Sequence, residues 1–274
     1  MIKRVTQSFI KAMREYIAGE ECGNIIREQY IDGRLIDRKS EAMDEGSYFE
    51  YKLCGNLPKS GNVPEPLRTG KGELTMEYKR AEHNAEVVKK LLFETWGLKI
   101  VKKGVKLTKG NQEGTIDLMV ECTMDVKFGD KLWKKGDRFV IDIKYSGLLY
   151  DKWEKFGWQW SNIQKSYHGT QAKQYHYITG LPFYFLVVGN KNLLKDGSWQ
   201  TTDIKMFYTP IDEHMIEAHL DEGNDLLEKL KFYGADLLEA RPSYSKCIKC
   251  PLRENCHDKH EYPHPVEVDL TIGI

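Results

Sequence analysis

The sequence predicts an α/β protein in which a central mixed sheet is flanked by helices. Helical patterns with one apolar face dominate the chain up to residue 96, and short β-rich segments joined by glycine-bearing turns follow them. Beyond residue 160, long helical patterns alternate with apolar, strand-like segments. The 274-residue chain has no internal repeat and no low-complexity tract, so we expect a single domain over residues 1–274.

Each predicted element rests on a local pattern. The first helix, for example, places Phe9, Met13, Tyr16 and Ile17 on one face. Prolines and glycines between the second and third helices predict a loop. The predicted helices cover residues 8–20, 41–54, 77–96, 161–179 and 211–238, the loop covers 55–75, and the strands cover 98–107, 114–122, 137–145, 182–189 and 203–209.

Composition limits the class of protein. Lys and Arg together number 41, as do Asp and Glu, so the formal net charge is zero, which argues against a protein held on DNA by bulk charge alone. No run of about 18 apolar residues is present, so we expect no membrane span. The first eight residues contain no apolar signal segment, and we therefore expect a cytoplasmic protein with reduced thiols.

Three carboxylates and one lysine are candidates for a catalytic centre. Asp142 and Lys144 are two residues apart in a predicted strand and therefore share one face. A solvated strand would explain that pair, and a strand-end cap would explain Asp117 alone. Adjacent antiparallel strands, however, would bring Asp117 and Asp142 within reach of one ion, and Glu50 is a further candidate. Carboxylate oxygens suit Mg²⁺ or Mn²⁺, and a neighbouring ammonium suits phosphate chemistry.

Four cysteines at the two ends of the chain predict a metal–sulfur centre. They are Cys22 and the Cys-x2-Cys-x5-Cys set of Cys247, Cys250 and Cys256. Joining them would close a very long loop and anchor the proline-rich tail. Spacing alone leaves the occupant open, because Cys247, Cys250, Cys256 and His260 would also make a Cys₃His zinc site. Cys54 is an alternative to Cys22 as the fourth ligand.

These motifs together resemble one family. Gly114-Thr-Ile-Asp117 followed by Ile141-Asp142-Ile-Lys144 resembles the PD-(D/E)xK nuclease superfamily. Gly46-Ser-Tyr-Phe-Glu50 before the sheet and Gln171-Ala-Lys-Gln-Tyr175 after it resemble signatures of the RecB-type branch. With the four cysteines, the set is similar to the iron–sulfur RecB-type exonucleases, which include the AddB nuclease domain and CRISPR-associated enzymes. The resemblance covers residues 8 to 256.

The resemblance implies a restriction-endonuclease-like core that hydrolyses DNA with Mg²⁺ or Mn²⁺, as an exonuclease on single strands or ends. Besides the three carboxylates, it implies the Ile143 carbonyl as a metal ligand. It leaves Lys144 to orient or deprotonate a water, or to offset charge in the transition state. Gln171 and Tyr175 would position the water or the strand backbone. It favours a [4Fe–4S] cluster on the cysteines, in a part formed by residues 1–40 and 240–262.

Contacts with DNA are predicted from two further groups. A basic segment between the two acidic strands would follow phosphates; it contains Lys127, Lys131, Lys134, Lys135 and Arg138. Trp153, Trp158 and Trp160 are candidates for base stacking, although core aromatics are the alternative. No P-loop is present, so unwinding would come from a partner, a helicase or recombination protein. The competing class is a degenerate nucleic-acid-binding protein with a zinc-stabilised tail.

Overall fold

The computed structural model describes most of the chain. The described residues are 2–34, 40–58, 61–128, 131–147, 149, 163–194, 196–208, 210–234, 236–242 and 244–256. They divide into two compact units. One unit contains described residues 2, 8–34 and 226–256, and the other contains residues 3–7 and the described part of 40–225.

Helices account for the larger share of the elements. They are α1 (Gln7–Ile17), α2 (Gly23–Ile26) with a π-helical turn at Arg27–Ile31, α3 (Glu41–Cys54), α4 (Met76–Lys89) with a π-helical turn at Lys90–Thr95, α5 (Ile163–Thr179), α6 (Glu213–Tyr233), α7 (Tyr244–Cys247) and a 3₁₀ turn at Arg253–Asn255. Local signals explain the bounds of α3. The Ser40 hydroxyl accepts from Met43 N at its start, and Gly55 ends it with φ 72°.

The second unit is built on a five-stranded mixed sheet in the order β1-β2-β5-β6-β7. The strands are β1 (Leu98–Lys109), β2 (Gln112–Cys122), β3 (Val126–Phe128), β4 (Lys131–Trp133), β5 (Arg138–Ser146), β6 (Phe183–Gly189) and β7 (Ile204–Tyr208). Only β5 and β6 are parallel; the other neighbours in the sheet are antiparallel. Strands β3 and β4 form a separate hairpin that the sequence patterns did not predict.

Helices cover both faces of this sheet. On one face, α3 and α4 pack against side chains such as Leu118, Ile141 and Ile143. On the other face, α5 packs against Val140 and its neighbours. The alternation along β5 therefore separates Val140 from Ile141 and Ile143, as the strand pattern predicted. The α/β class with a mixed central sheet flanked by helices is confirmed.

The first unit brings the two ends of the chain together. Gly23 N donates to Glu239 O at 2.9 Å, and Glu239 N donates to the Tyr16 hydroxyl at 3.1 Å. The Arg241 guanidinium lies 4.4 Å from the centre of the Tyr16 ring. A Cβ on Gly23 would lie 2.3 Å from Glu239 O, so this approach requires glycine. Among the described helices, none is sufficiently long and apolar to span a bilayer.

Candidate active site

The candidate active site lies where the antiparallel strands β2 and β5 stop pairing. Leu118 and Ile141 form the last pair of the β2–β5 ladder, which leaves Asp117 and Asp142 opposite each other one residue further along. Asp117 does not continue the ladder through its backbone there. Instead its carboxylate accepts from Ile143 N at 2.8 Å. The end of the ladder thus places two acidic side chains side by side, as the sequence predicted for adjacent strands.

Two side chains hold the Asp142 carboxylate from different directions. The Lys144 ammonium forms an ion pair with Oδ2, and the Gln171 amide donates to Oδ1. Asp142 is 2% exposed, whereas Lys144 is 29% exposed and reaches solvent. Gln171 lies on α5, which covers this face of the sheet. The structure therefore assigns Gln171 a contact with the acidic side chain rather than with the strand backbone.

Glu50 reaches the same centre from α3. Its Oε1 accepts from the Asn56 amide at 2.6 Å, and the same amide donates to the backbone oxygen of Asp117 at 3.0 Å. Asn56 lies in the segment predicted only as a loop, yet it is 6% exposed. Sequence reasoning missed it, because an asparagine following a helix-ending glycine is an ordinary turn signal.

Burial and mutual repulsion set the electrostatics. Burial, together with the charges of Asp142 and Glu50, raises the pKa of Asp117 well above its ordinary value. Burial also raises the pKa of Asp142, against the opposing effect of Lys144. Burial raises the pKa of Glu50, and Asp142 adds to this, whereas the Asn56 hydrogen bond opposes it. The centre therefore favours positive charge near these carboxylates.

The donor set fits a hard divalent cation. Three carboxylates and one ammonium leave two negative charges when all are ionised, which one Mg²⁺ or Mn²⁺ would balance. As placed, however, the described His, Cys, Asp and Glu side chains form no group of three that could hold a metal ion. The Lys144 ammonium and the Gln171 amide contact the two oxygens of Asp142. A cation that bound Asp142 through Oδ2 would displace Lys144.

Tyr175 lies in the apolar core rather than among the carboxylates. It is 5% exposed, packs with Phe183 at a ring separation of 5.6 Å, and belongs to the cluster between α5 and the sheet. A Cβ on Gly114 would lie 2.4 Å from the Tyr175 ring. Gly114 thus supplies the space in which this ring packs. Ile143 is 7% exposed, and its N–H is bonded to Asp117, so only its carbonyl is a candidate ligand.

The predicted DNA-binding segment lies on the β3–β4 hairpin and the start of β5. Lys134 pairs with Asp125 at 2.8 Å, and the Arg138 side chain pairs with Glu121. Lys131 lies over the Trp133 and Tyr208 rings at 4.1 and 4.7 Å, and Lys135 N donates to Asp125 at 3.0 Å. Arg138 precedes Asp142 by four residues, or roughly 13 Å of strand. Contact of this segment with nucleic acid stays a prediction.

A second basic segment lies at the edge of the sheet. Edge strand β1 carries the exposed lysines Lys99, Lys102, Lys103, Lys106 and Lys109. Lys103 donates to Cys54 O at 2.6 Å and Lys106 pairs with Glu113 at 2.7 Å. Lys99 and Lys102 have no ion pair within the described part of the chain. Trp153, Trp158 and Trp160 lie outside the described residues.

The four predicted sulfur ligands all belong to the first unit. Arg241 N donates to Cys22 Sγ at 3.3 Å, and the Asn24 amide donates to Cys256 Sγ at 3.4 Å. Burial raises the pKa of Cys250, and the charges of Cys22, Cys247 and Cys256 raise it further. As placed, however, no three of the described cysteines form a group that could hold a metal ion. His257, His260 and His264 lie outside the described residues.

The other two cysteines lie in the second unit. Cys54 is buried, and its thiol donates to Glu50 O at 3.2 Å. Cys122 is buried in the core between the sheet and α4. Within the described residues, all six cysteines are free thiols. Cys54 therefore lies in a different unit from the four predicted ligands, and both that ligand set and its occupant stay predictions.

The fold resembles that of a protein from Eubacterium rectale described as a candidate exonuclease. The TM-score is 0.60 with 21% sequence identity, over 99% of this chain and 94% of that one. An alkaline exonuclease from Laribacter hongkongensis aligns less well, with a TM-score of 0.41 and 14% identity over 84% of this chain and 89% of that one. No protein-family model and no curated protein matches the chain. At this identity the first likeness establishes the fold, and membership of the iron–sulfur RecB-type branch stays a prediction.

Proposed function

We propose that the protein is a divalent-metal-dependent deoxyribonuclease that hydrolyses phosphodiester bonds, acting as an exonuclease on single strands or DNA ends. The observation that carries the proposal is the position of Asp117 and Asp142 at the end of the β2–β5 ladder, with Lys144 on Asp142. The shared fold with a protein described as a candidate exonuclease supports the same reaction.

The proposed chemistry assigns distinct roles to the surrounding groups. Glu50, Asp117, Asp142 and the Ile143 carbonyl would hold Mg²⁺ or Mn²⁺, which when bound lowers the pKa of a water and neutralises phosphate oxygens. The Gln171 amide orients the Asp142 carboxylate through its hydrogen bond.

Lys144 is partly exposed beside Asp142. In the proposed reaction its ammonium orients the attacking water or offsets the charge that develops on the phosphate. We assign Tyr175 a packing role that holds α5, and hence Gln171, against the sheet.

We further propose a structural [4Fe–4S] cluster on Cys22, Cys247, Cys250 and Cys256. Their position in one compact unit and the Cys-x2-Cys-x5-Cys spacing support a thiolate centre. Zinc is the alternative, and metal content distinguishes them. Anaerobically purified protein that is brown, absorbs broadly near about 400 nm and contains iron supports the cluster. Colourless protein with stoichiometric zinc would exclude it.

A cleavage assay tests the nuclease proposal. End-labelled single- and double-stranded DNA is incubated with protein and Mn²⁺, Mg²⁺ or EDTA, and the products are sized. We expect mononucleotides or short oligonucleotides to be released from ends, only with a divalent ion. Asp142→Asn and Lys144→Ala should each lower the rate by about 100-fold or more. Exposed Asp196→Asn, at a carboxylate that accepts from Ser198, is the matched control and should retain wild-type activity.

Two outcomes would contradict the proposal. Cleavage that survives Asp142→Asn unchanged would place the reaction elsewhere in the protein. DNA binding without cleavage under any divalent ion would favour the degenerate nucleic-acid-binding class. Internal fragments in place of end products would reject the exonucleolytic mode alone.

A further inference from the structure

A buried asparagine joins two elements of the candidate active site. Asn56 follows Gly55, which ends α3 with φ 72°, and it is 6% exposed although it begins a loop. Its amide nitrogen donates to Glu50 Oε1 at 2.6 Å and to the backbone oxygen of Asp117 at 3.0 Å. One amide group therefore connects the helix that carries Glu50 with the strand that carries Asp117.

The edge strand is shaped to admit this side chain. Lys103 pairs with Leu118 and Val105 pairs with Ile116, so Gly104 lies opposite Asp117 in the β1–β2 register. Gly104 has φ +54°, and a Cβ there would lie 3.0 Å from Asn56 Oδ1. A side chain at position 104 would therefore be strained and would press on the Asn56 amide.

Fold stability alone does not account for this arrangement. Asn56 Oδ1 is buried, and no donor within the described part of the chain reaches it. A buried acceptor without a partner costs stability, so the amide lies here for the bonds that its nitrogen makes and not for the burial of its oxygen. The nitrogen of the same amide, in contrast, forms two short hydrogen bonds on the side of the carboxylates.

We infer that Asn56 is a positioning residue that fixes the Glu50 carboxylate beside Asp117 so that Glu50 serves as a ligand of the divalent cation. The inference rests on the proposed function. Asn56 acts through Glu50: its amide restricts the glutamate side chain, whose flexible stem would otherwise sample other rotamers. Gly104 supports the same arrangement by leaving room for the amide.

A double-mutant cycle on cation affinity tests the inference. Mn²⁺ binding is measured by calorimetry for the full-length wild type, Asn56→Ala, Glu50→Ala and the double variant. We expect Asn56→Ala to weaken Mn²⁺ binding about tenfold, the range of one hydrogen bond to a charged group. In the Glu50→Ala background the same change should alter affinity by less than about twofold. Asn111→Ala, which removes an exposed 2.7 Å amide contact with Asn224, is the control and should bind Mn²⁺ normally.

A second variant covers the case in which Asn56→Ala folds poorly. Gly104→Ala leaves the amide in the sequence but displaces it, and it should weaken Mn²⁺ binding in the same direction. In cleavage assays, raised Mn²⁺ should restore most of the rate of Asn56→Ala, because a positioning residue acts on ligand affinity.

The outcomes separate this inference from the proposed function. Unchanged Mn²⁺ affinity in Asn56→Ala would overturn the inference, as would an equal loss in the Glu50→Ala background. A wild-type protein that does not bind Mn²⁺ would overturn it too. A wild type that binds Mn²⁺ but leaves DNA intact would reject the nuclease proposal, while the cycle still decides the role of Asn56.

Discussion

Replacement of Asp117 by asparagine should make the metal-free protein more stable while removing activity. The Asp117 side chain is partly buried where the two strands separate, and its carboxylate accepts from Ile143 N at 2.8 Å. Asparagine keeps the size of the side chain and an oxygen that accepts this hydrogen bond. The change therefore removes a charge that faces Asp142 and Glu50, with little change in packing.

The sign of the effect follows from the raised pKa of Asp117. A carboxyl group whose pKa is higher in the folded than in the unfolded state binds its proton more tightly when folded. Metal-free stability therefore falls as the pH rises from the unfolded pKa through the folded one. Above that range the folded state carries a charge that it disfavours, so Asp117→Asn should melt at a higher temperature than the wild type at pH 8 in EDTA. In a protein of roughly this size, each kcal/mol gained raises Tm by about 2–4 °C, so a gain of a few degrees is expected.

In Mn²⁺, the wild type should become more stable than Asp117→Asn. At a concentration of about 100 times Kd, a bound ion stabilises the folded state by about 2.7 kcal/mol, and the variant lacks one of the ligands that hold it. Thermal melts in EDTA and in Mn²⁺, at pH 6 and pH 8, check both statements, with exposed Asp196→Asn as the control. A variant that is less stable than wild type in EDTA at both pH values, or equally stabilised by Mn²⁺, would refute the reasoning.

Three further predictions concern packing, sulfur ligation and substrate contact. Gly114→Ala should lower the free energy of unfolding by about 1–3 kcal/mol, because the new Cβ would meet the Tyr175 ring. Gly46 in α3 has open space around it, so Gly46→Ala should raise the free energy of unfolding by about 0.5–1 kcal/mol. Unfolding in denaturant measures both. A loss of stability in both variants would contradict the packing argument. Cys250→Ser should lose bound metal and have a lower Tm, whereas Cys122→Ser, at a buried cysteine, should keep its metal; elemental analysis measures both. Equal metal loss in the two variants would contradict the assignment of Cys250 as a ligand. Replacing Lys99 and Lys102 by glutamate should weaken single-stranded DNA binding, and the slope of log affinity against log salt concentration should fall by about 0.7 per lost phosphate contact. Lys134, which is already paired with Asp125, should change neither quantity when it is replaced by glutamate. If only the Lys134 variant weakened binding, the β3–β4 hairpin would be the DNA contact instead.

The sheet and its acidic strands could be predicted because the alternation of side chains along a strand depends only on residues that are neighbours in the sequence. Val140, Ile141, Asp142 and Ile143 alternate between the two faces of β5 as the period of two requires. The β3–β4 hairpin was missed because its strands have three residues each, too few to form a period. The loop prediction for the segment after α3 was also too coarse, since it overlooked that Asn56 is buried.

Contacts between separate elements were the harder part of the site. Gln171 and Tyr175 are one helical turn apart, so the sequence placed them on one face, but only the packing of α5 separates their roles. Gln171 reaches Asp142, whereas Tyr175 fills the space over Gly114. Spacing within one helix therefore predicts which residues lie together, and the neighbouring strand decides which of them takes part in the chemistry.

The same reasoning explains why the acidic centre depends on residues that carry no charge. The β2–β5 ladder ends beside Asp117 and Asp142, so pairing between these two strands no longer fixes the distance between the two side chains. Hydrogen bonds from Ile143 N, Gln171 and Asn56 replace it, one for each carboxylate. Each donor comes from a different element, so the three acids are aligned only when strand, helix and loop are all in place. Since such donors oppose the repulsion among the acids without neutralising it, the centre keeps its preference for a cation.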